Sequence, residues 1–384
     1  MRKIELSYSL DGNGRAGAIH NALIALLQAV REQGSISGAA KQLGQSYRHV
    51  WGELKRWEDE LGRGLIVWEK GQRARLTEFG DKLLWAERQA QARLAPQIEA
   101  LHADLERAFA VAFDDTAHVL TLHASHDDGL ARLREYAAAH AALHLDVRFM
   151  GSVDAISALN EGRCTIAGFH TPPQPLEGSA AARAYRPLLQ PGQHKIIGFA
   201  TRVQGLVVAR GNPLRLASFA DLARADVRFV NRALGAGTRV LAEELAASAG
   251  IDTAKVAGWS RTEPSHAAVA QAVASGSADA GLAIEVAARS RGLDFVPLVH
   301  EHYYLVCLKS VLDEPAVRAL RDVLASGGWQ EQLESLPGYA PLHPGEVLSL
   351  SRQLPWWRYA RAKRARQGAS SALAPTVAGK QKQE

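Results

Sequence analysis

The feature that most constrains the fold of this chain is a single change in the period of its apolar residues. Up to about residue 105 they recur at helical intervals in short blocks. From Val119 onward, short apolar runs alternate with helical stretches. The sequence thus predicts a multidomain chain with an α-rich head and an α/β body. Its 384 residues allow two or three domains at roughly 150 residues each.

The head opens with a short alternating run, Ile4–Leu10, that reads as a strand. Gly12-Asn-Gly-Arg-Ala-Gly17 follows and formally matches GxGxxG. No second strand follows at βαβ distance, and no acidic residue ends one, so it reads as a glycine-rich turn, not a dinucleotide fingerprint. Leu23, Leu26, Leu27 and Val30 then make one helix face. After Gly34, Ser35 can cap a second helix, with Ile36, Ala39, Ala40 and Leu43 at i, i+3, i+4 and i+7. The two alanines admit a close helical neighbour. Gly44-Gln45 breaks the chain, and Ser46 can cap a third helix whose Val50, Leu54, Trp57 and Leu61 share a face. Arg48, Gly52 and Lys55 point the opposite way, flanked by His49 and Trp51. This spacing predicts a helix-turn-helix, and Gly52 would let the backbone lie close to DNA. Leu65–Glu69 and Arg73–Thr77 read as a hairpin turning at Lys70-Gly71-Gln72. Its Lys70, Arg73 and Arg75 would form a wing over phosphates. Thr77 can cap a long helix with Phe79, Leu83, Ala86, Ala90, Leu94, Ile98, Leu101 and Leu105 near heptad spacing, kinked at Pro96. It is either a dimer seam or a helix packed on its own domain.

The body reads β-α-β-α-β. The strands are Val119–Ala124, Leu145–Met150 and Cys164–Phe169, with helices through His140 and from Val153 to Asn160. Further strands are expected at Ile196–Ala200, Leu206–Ala209, Val227–Val230, Ala280–Ile284, Phe295–Pro297 and Tyr304–Leu308, with helices at Thr238–Ala249 and Pro264–Ser275. Thr171–Gly178, with three prolines, is a loop. Ligands of open α/β sheets sit at the carboxyl ends of strands, against helix N-termini. Three strand ends carry groups suited to a small anion: Ser125-His126-Asp127, Gly151-Ser152, and Asn231-Arg232 through Gly237-Thr238-Arg239. Ser265-His266 opens another helix.

Charge is uneven. Residues 1–76 carry 12 Lys/Arg against 8 Asp/Glu, and residues 352–384 carry 8 against one, within a chain of net charge +5. The ends are basic and the middle acidic, as suits a head and tail that meet a polyanion. The tail segment Pro355-Trp-Trp-Arg-Tyr with its following Lys/Arg run reads as an aromatic patch on the body with a disordered basic end, or as a grip on nucleic acid. Catalytic signatures such as HExxH, GK[ST] and GxSxG are absent, so no enzyme is expected. His300 and His302 make a weak ligand pair, and no metal site is expected. Cys164 and Cys307 form no disulfide or zinc pattern. No apolar run would span a bilayer, and Met1-Arg-Lys-Ile-Glu-Leu lacks a signal-peptide core. A cytoplasmic protein with no membrane partner is expected.

The stretch Gly34-Ser-Ile-Ser-Gly-Ala-Ala-Lys-Gln-Leu-Gly-Gln-Ser-Tyr-Arg-His-Val-Trp51, with Leu76-Thr-Glu-Phe-Gly80 downstream, resembles the winged helix of molybdate-responsive (ModE-type) repressors and is similar to LysR-type regulators. That resemblance places Ser46–Leu61 in the major groove and the 77–105 helix at a dimer interface. The motifs Ala124-Ser-His-Asp127, Asn231–Arg239, Ser265-His-Ala-Ala-Val-Ala270, Ala278–Glu285 and Gly292–Pro297 resemble a type II periplasmic-binding-protein-like domain. This implies two lobes joined by crossover strands near 198–206 and 291–304. In molybdate-binding relatives hydroxyls and backbone amides hold the oxyanion. Ser125, Ser152 and Thr238 match in type, while His126, Arg232 and Arg239 add positive groups.

The expected organisation is a winged helix-turn-helix (1–76), a linker helix (77–112), a two-lobed ligand domain (113–345) and a basic tail (346–384). The expected DNA contacts are Ser46, Tyr47, Arg48, His49, Trp51, Lys55, Lys70, Arg73 and Arg75. The expected ligand residues are Ser125, His126, Asp127, Ser152, Arg232, Gly237, Thr238, Arg239, Ser265 and His266, with Tyr303 closing the pocket or lying in the core. No covalent cofactor is expected. The effector would be a molybdate- or tungstate-like oxyanion or a small carboxylate such as formate. The partners would be an operator duplex and a second copy, in a homodimer or higher oligomer. The alternative is an oxyanion-storage protein whose winged helix only dimerises.

Overall fold

The computed structural model describes residues 21–68, 73–113 and 118–357. The expected Ile4–Leu10 strand, the Gly12–Gly17 turn, Lys70 with its Lys70-Gly71-Gln72 turn, and the basic tail beyond Trp357 lie outside them.

Three helices build the head: α1 (Ala22–Gln33), α2 (Ile36–Gln42) and α3 (Tyr47–Leu61). Side-chain caps start each one. Asn21 accepts from the Leu23 and Ile24 amides, Ser35 from Gly38 and Ser46 from His49. Gly34 and Gly62, at φ 62° and 65°, end α1 and α3 in the left-handed region. The expected apolar faces meet in one core of Leu27, Val30, Ile36, Ala39, Val50, Leu54 and Leu65. The wing is shorter than predicted: β1 (Ile66–Val67) pairs β2 (Arg75–Leu76) over two residues each. Val67 and Trp68 are exposed, while Ala74 just before β2 is buried in the head core.

Helix α4 (Glu78–Phe113) is 36 residues long and continuous through position 96. One stretch of it packs on its own chain, as one of the two expected roles requires. Phe79 and Leu83 pack on the head core, and Leu84, Gln89 and Ala92 are buried. Trp85, Leu94 and Leu101 are exposed.

The body runs β3 (His118–Ala124), α5 (Asp128–Ala141), β4 (Leu143–Phe149), α6 (Ser152–Asn160), β5 (Ile166–Thr171), α7 (Ala180–Tyr185), β6 (His194–Val208), β7 (Phe229–Arg232), α8 (Gly237–Ser248), β8 (Thr262–Glu263), α9 (His266–Ala274), β9 (Ala280–Ile284), α10 (Glu285–Arg289), β10 (Asp294–Leu308), α11 (Pro315–Ala325), α12 (Gly327–Glu334), β11 (Tyr339–Pro341), β12 (Val347–Leu348) and α13 (Leu350–Gln353). The sheet order is β4-β3-β5-β10-β6-β9-β7-β8, with β11 and β12 on β6. Strands β4, β3 and β5 are parallel in one lobe, and β9, β7 and β8 in the other. The antiparallel pair β6–β10 crosses between them.

Two corrections follow. The strands expected at Ile196–Ala200 and Leu206–Ala209 are one 15-residue strand, and Phe295–Pro297 and Tyr304–Leu308 likewise belong to β10. Polar residues interrupt the apolar run of β6, yet Arg202 and Gln204 are fully buried because their polar ends bond inside the body. The body also runs past the expected boundary at 345. Strand β12 pairs Ile196 and Ile197, Leu350 and Leu354 enter the core, and the buried Trp356 indole donates to the Pro175 carbonyl at 3.0 Å.

Candidate functional site

The first candidate site is the outward face of α3. Tyr47, Arg48 and His49 are exposed in its first turn, beside the Ser46 cap. Farther along the helix the cations are locally paired. Lys55 lies 2.7 Å from Glu58 and 5.1 Å over the Trp51 ring, while Arg56 bonds Glu53 at 2.5 Å and reaches Glu60 at 3.5 Å. Lys55, an expected DNA contact, is thus exposed but paired with Glu58 in this structure. Glu58 also accepts from the Leu65 and Ile66 amides, which ties the helix to the wing. Trp51 meets the exposed Trp68 edge-on at 6.0 Å, a contact the sequence reading missed. On the wing, Arg73 lies close over Gly34, and both Arg73 and Arg75 are exposed. A Cβ at Gly52 would meet nothing within 4 Å, so packing inside the chain does not demand that glycine.

The second candidate site lies where the two lobes meet. Gly151 precedes α6, and a Cβ there would stand 2.7 Å from the Gly235 backbone of the other lobe. A Cβ at Gly237 would fall 2.1 Å from the His170 ring. Missing side chains at these two positions let the lobes close on each other. The Ser125 and Ser152 hydroxyl oxygens, from successive strand ends, are 3.3 Å apart.

A buried network fills the centre. Arg202 on β6 donates to Asp127 through Nη1 and to Glu301 on β10 through Nε. Gln204 donates to Glu301 and to the Thr238 hydroxyl, both at 2.9 Å, and Tyr339 donates to Asp127 at 2.6 Å. The Arg202 guanidinium stands 4.8 Å over the Tyr303 ring. Burial works against the Arg202 charge, but Glu301 and Asp127 outweigh it and hold its pKa above the ordinary arginine value. Burial pushes the Glu301 carboxyl up, against the pull of Arg202.

Beside this balanced group is an unbalanced one. Arg232 ends β7 at 3% exposure, and its Nε and Nη1 have no hydrogen-bond partner among the described residues. Burial, with Arg202 adding repulsion, pulls its pKa down to about 9. His170 and His266 are equally buried, with no partner for either ring nitrogen among the described residues. Burial, reinforced by the two arginines, pushes both well below the ordinary histidine value, so both are neutral at pH 7. The Tyr303 and Thr171 hydroxyls are also buried without partners among the described residues. His126 packs on Phe149, ring centres 4.7 Å apart.

Of the expected ligand residues, the structure brings Ser125, His126, Ser152, Arg232, Gly237, Thr238, His266 and Tyr303 to this junction. Tyr303 is both core, at 0% exposure, and lining. Three expectations are corrected. The Asp127 carboxylate is committed to Arg202, Tyr339 and the Leu130 amide at the start of α5. Arg239 turns away to Glu243, the Trp259 carbonyl and the Trp259 ring. Ser265 caps α9 and donates to the Ala92 carbonyl of α4. The sequence reading missed His170, Thr171, Arg202, Gln204 and Glu301. His170-Thr171 closes the third parallel strand, so the strand-end rule applied to its neighbours reaches it too.

Among the described residues no His, Cys, Asp and Glu cluster could hold a metal ion, and no helix is long and apolar enough to cross a membrane. Burial pushes the free thiols of Cys164 and Cys307 up to about 11 and 12.

Residues 133–325, half of the chain, match the family model described as the PBP superfamily domain. Residues 22–81 match that of the bacterial regulatory helix-turn-helix protein, lysR family. The chain belongs to the PBP superfamily, and the helix-turn-helix ahead of that domain is similar to the lysR-family one. It is 33% identical over 201 residues to the uncharacterized protein YvgK of Bacillus subtilis, a match covering 52% of this chain and 64% of that one. It is 34% identical over 111 residues to an uncharacterized Clostridium pasteurianum protein in a ferredoxin 2Fe-2S gene 5′ region, covering 29% of this chain and 98% of that one. A point mutant of full-length BenM aligns at 16% identity and TM-score 0.42, over 83% of this chain and 97% of that one.

Proposed function

We propose that this chain regulates transcription in response to a small anion held between its two lobes. The observation that carries this reading is Arg232. A buried cation without a counter-ion costs several kcal/mol, and an incoming anion supplies the missing charge. His170 and His266 stand beside it with free ring nitrogens, and Ser125, Ser152, Thr171 and Tyr303 add hydroxyls. Such a donor set suits a molybdate- or tungstate-like oxyanion or a small carboxylate such as formate. On the head, Tyr47, Arg48 and His49 at the start of α3 would meet base edges, since recognition helices read with their N-terminal residues. Arg73 and Arg75 would hold phosphates, and Leu94 and Leu101, seven residues apart on one exposed face of α4, would form the seam of a homodimer.

Thermal unfolding of the full chain with sodium molybdate, tungstate, sulfate and formate tests the ligand site. A ligand of the folded state raises Tm. At least one anion should do so in the wild type and none in Arg232→Met; an equal shift in both places the anion elsewhere. Gel shifts on DNA upstream of the chain's own gene test the head. Arg48→Ala should weaken binding about tenfold, the scale of one good base contact; unchanged binding removes Arg48 as a base contact, and no binding by the wild type leaves the dimerisation-only alternative.

A further inference from the structure

The junction lined by Arg232 and His266 is wired to the linker helix through four residues of one chain segment. Glu263 ends β8 and is 1% exposed. In the parallel β7–β8 ladder it stands opposite Arg232. Its carboxylate does not serve the lobe junction. It accepts from Arg93 of α4 at 2.9 and 2.7 Å, one bond to each oxygen, and from Gln89 at 3.2 Å. Two residues later the Ser265 hydroxyl donates to the Ala92 carbonyl, also on α4, at 3.2 Å, while accepting from the Ala268 amide. The next residue, His266, is buried on the opposite side, where Arg232 and Arg202 act on it. The segment 263–266 thus has its carboxylate and hydroxyl on α4 and its imidazole at the proposed ligand.

Farther along, α4 also reaches the other lobe: Asp104 lies 3.6 Å from Arg148 on β4. One continuous helix therefore bonds to the β8–α9 segment of one lobe and touches the edge strand of the other. A change in the angle between lobes cannot leave both attachments and the helix direction unchanged.

We propose that Glu263 and Ser265 couple the lobe junction to α4, so that occupancy beside Arg232 and His266 redirects the linker helix that carries the reading head. This rests on the ligand reading above for the identity of the trigger, not for the linkage itself. A ligand shifts such an equilibrium only through different contacts in the two states, and the 263–266 segment is where those contacts change. Glu263 and Ser265 are positioning residues. They hold α4 and do not face the anion.

Hydrogen exchange on the full chain, read at the α4 amides of residues 86–97, tests the linkage. Local opening is sensitive to attachments of this kind. Arg232→Met alters the junction without any ligand and should change α4 exchange about threefold or more; in an Arg93→Gln/Ser265→Ala background that response should fall to near one. Arg93 is half exposed, so the double variant should fold; Glu263→Gln, which keeps the side-chain shape, is the second way to cut the link. The proposal is overturned if α4 is silent to Arg232→Met while β7 and α9 respond, or if the response survives both link-cutting variants. Repeating the measurement with sodium molybdate and with sodium formate separates the two readings. An α4 response to Arg232→Met with no Tm shift from either anion supports the linkage and counts against those effectors. A Tm shift with α4 unmoved sinks the linkage and leaves the ligand site standing.

Discussion

The α3 surface and the lobe junction handle charge in opposite ways. On α3, Lys55 and Arg56 find carboxylates three or four residues away, in water, at positions the helix repeat supplies. At the junction, Arg202 finds Asp127 75 residues before it and Glu301 99 residues after it, all three fully buried. Arg232 beside them has no carboxylate partner among the described residues. Surface pairs of this kind contribute about 0–1 kcal/mol, whereas breaking a buried one costs several. The difference teaches that a cation's place in the fold, not its presence in the sequence, decides whether it is structural, idle or available to a ligand.

The largest effect that would sharpen this contrast is at Arg202. Arg202→Met strands two buried carboxylates and should cost about 3–5 kcal/mol in urea unfolding; a loss under about 1 kcal/mol would mean the network is not holding the lobes. Arg232→Met should act with the opposite sign. It removes an uncompensated buried charge, so the ligand-free chain should gain about 1 kcal/mol or more while losing its response to anions. A marked loss of stability would show that Arg232 has a structural partner.

The histidines add a pH arm. His170 and His266 have folded pKa values well below the ordinary 6.5, so the unfolded chain takes up their protons first as pH falls. Their contribution is intact above about pH 6.5 and is lost progressively below it. The Tm should drop between pH 7 and pH 5, and a His266→Gln variant should show a shallower drop; parallel curves would count against burial as the cause. Gly52→Ala should stabilise the head by up to about 1 kcal/mol from helix propensity alone, since nothing in the chain crowds that position. Weaker DNA binding by the same variant would indicate that the bare backbone is kept for the duplex. The smallest effect is expected for Arg56→Ala, whose partners are local and solvated; its urea midpoint should match the wild type.

How far the sequence could be read follows the same division. The helices of the head fell where caps and apolar spacing put them, because Asn21, Ser35, Ser46 and Gly34 act on their immediate neighbours. The strand-end rule brought Ser125, Ser152, Arg232 and His266 to one place. It failed at Arg239 and Ser265, which lie at helix starts as expected but turn outward, one to Trp259 and one to Ala92. It also failed inside β6, where the polar residues that looked like a break are the centre of the site.

The sequence by itself determined the helix-turn-helix and the strand–helix alternation, since periodicity, caps and turns act over a few residues; the two-lobed plan came from the resemblance of its motifs to a known domain. Only the tertiary structure decided which cations are neutralised, that His170 faces Gly237 across the junction, and that Glu263 reaches α4. Those outcomes depend on strands distant in the chain being brought within hydrogen-bond reach, and no local pattern encodes that distance.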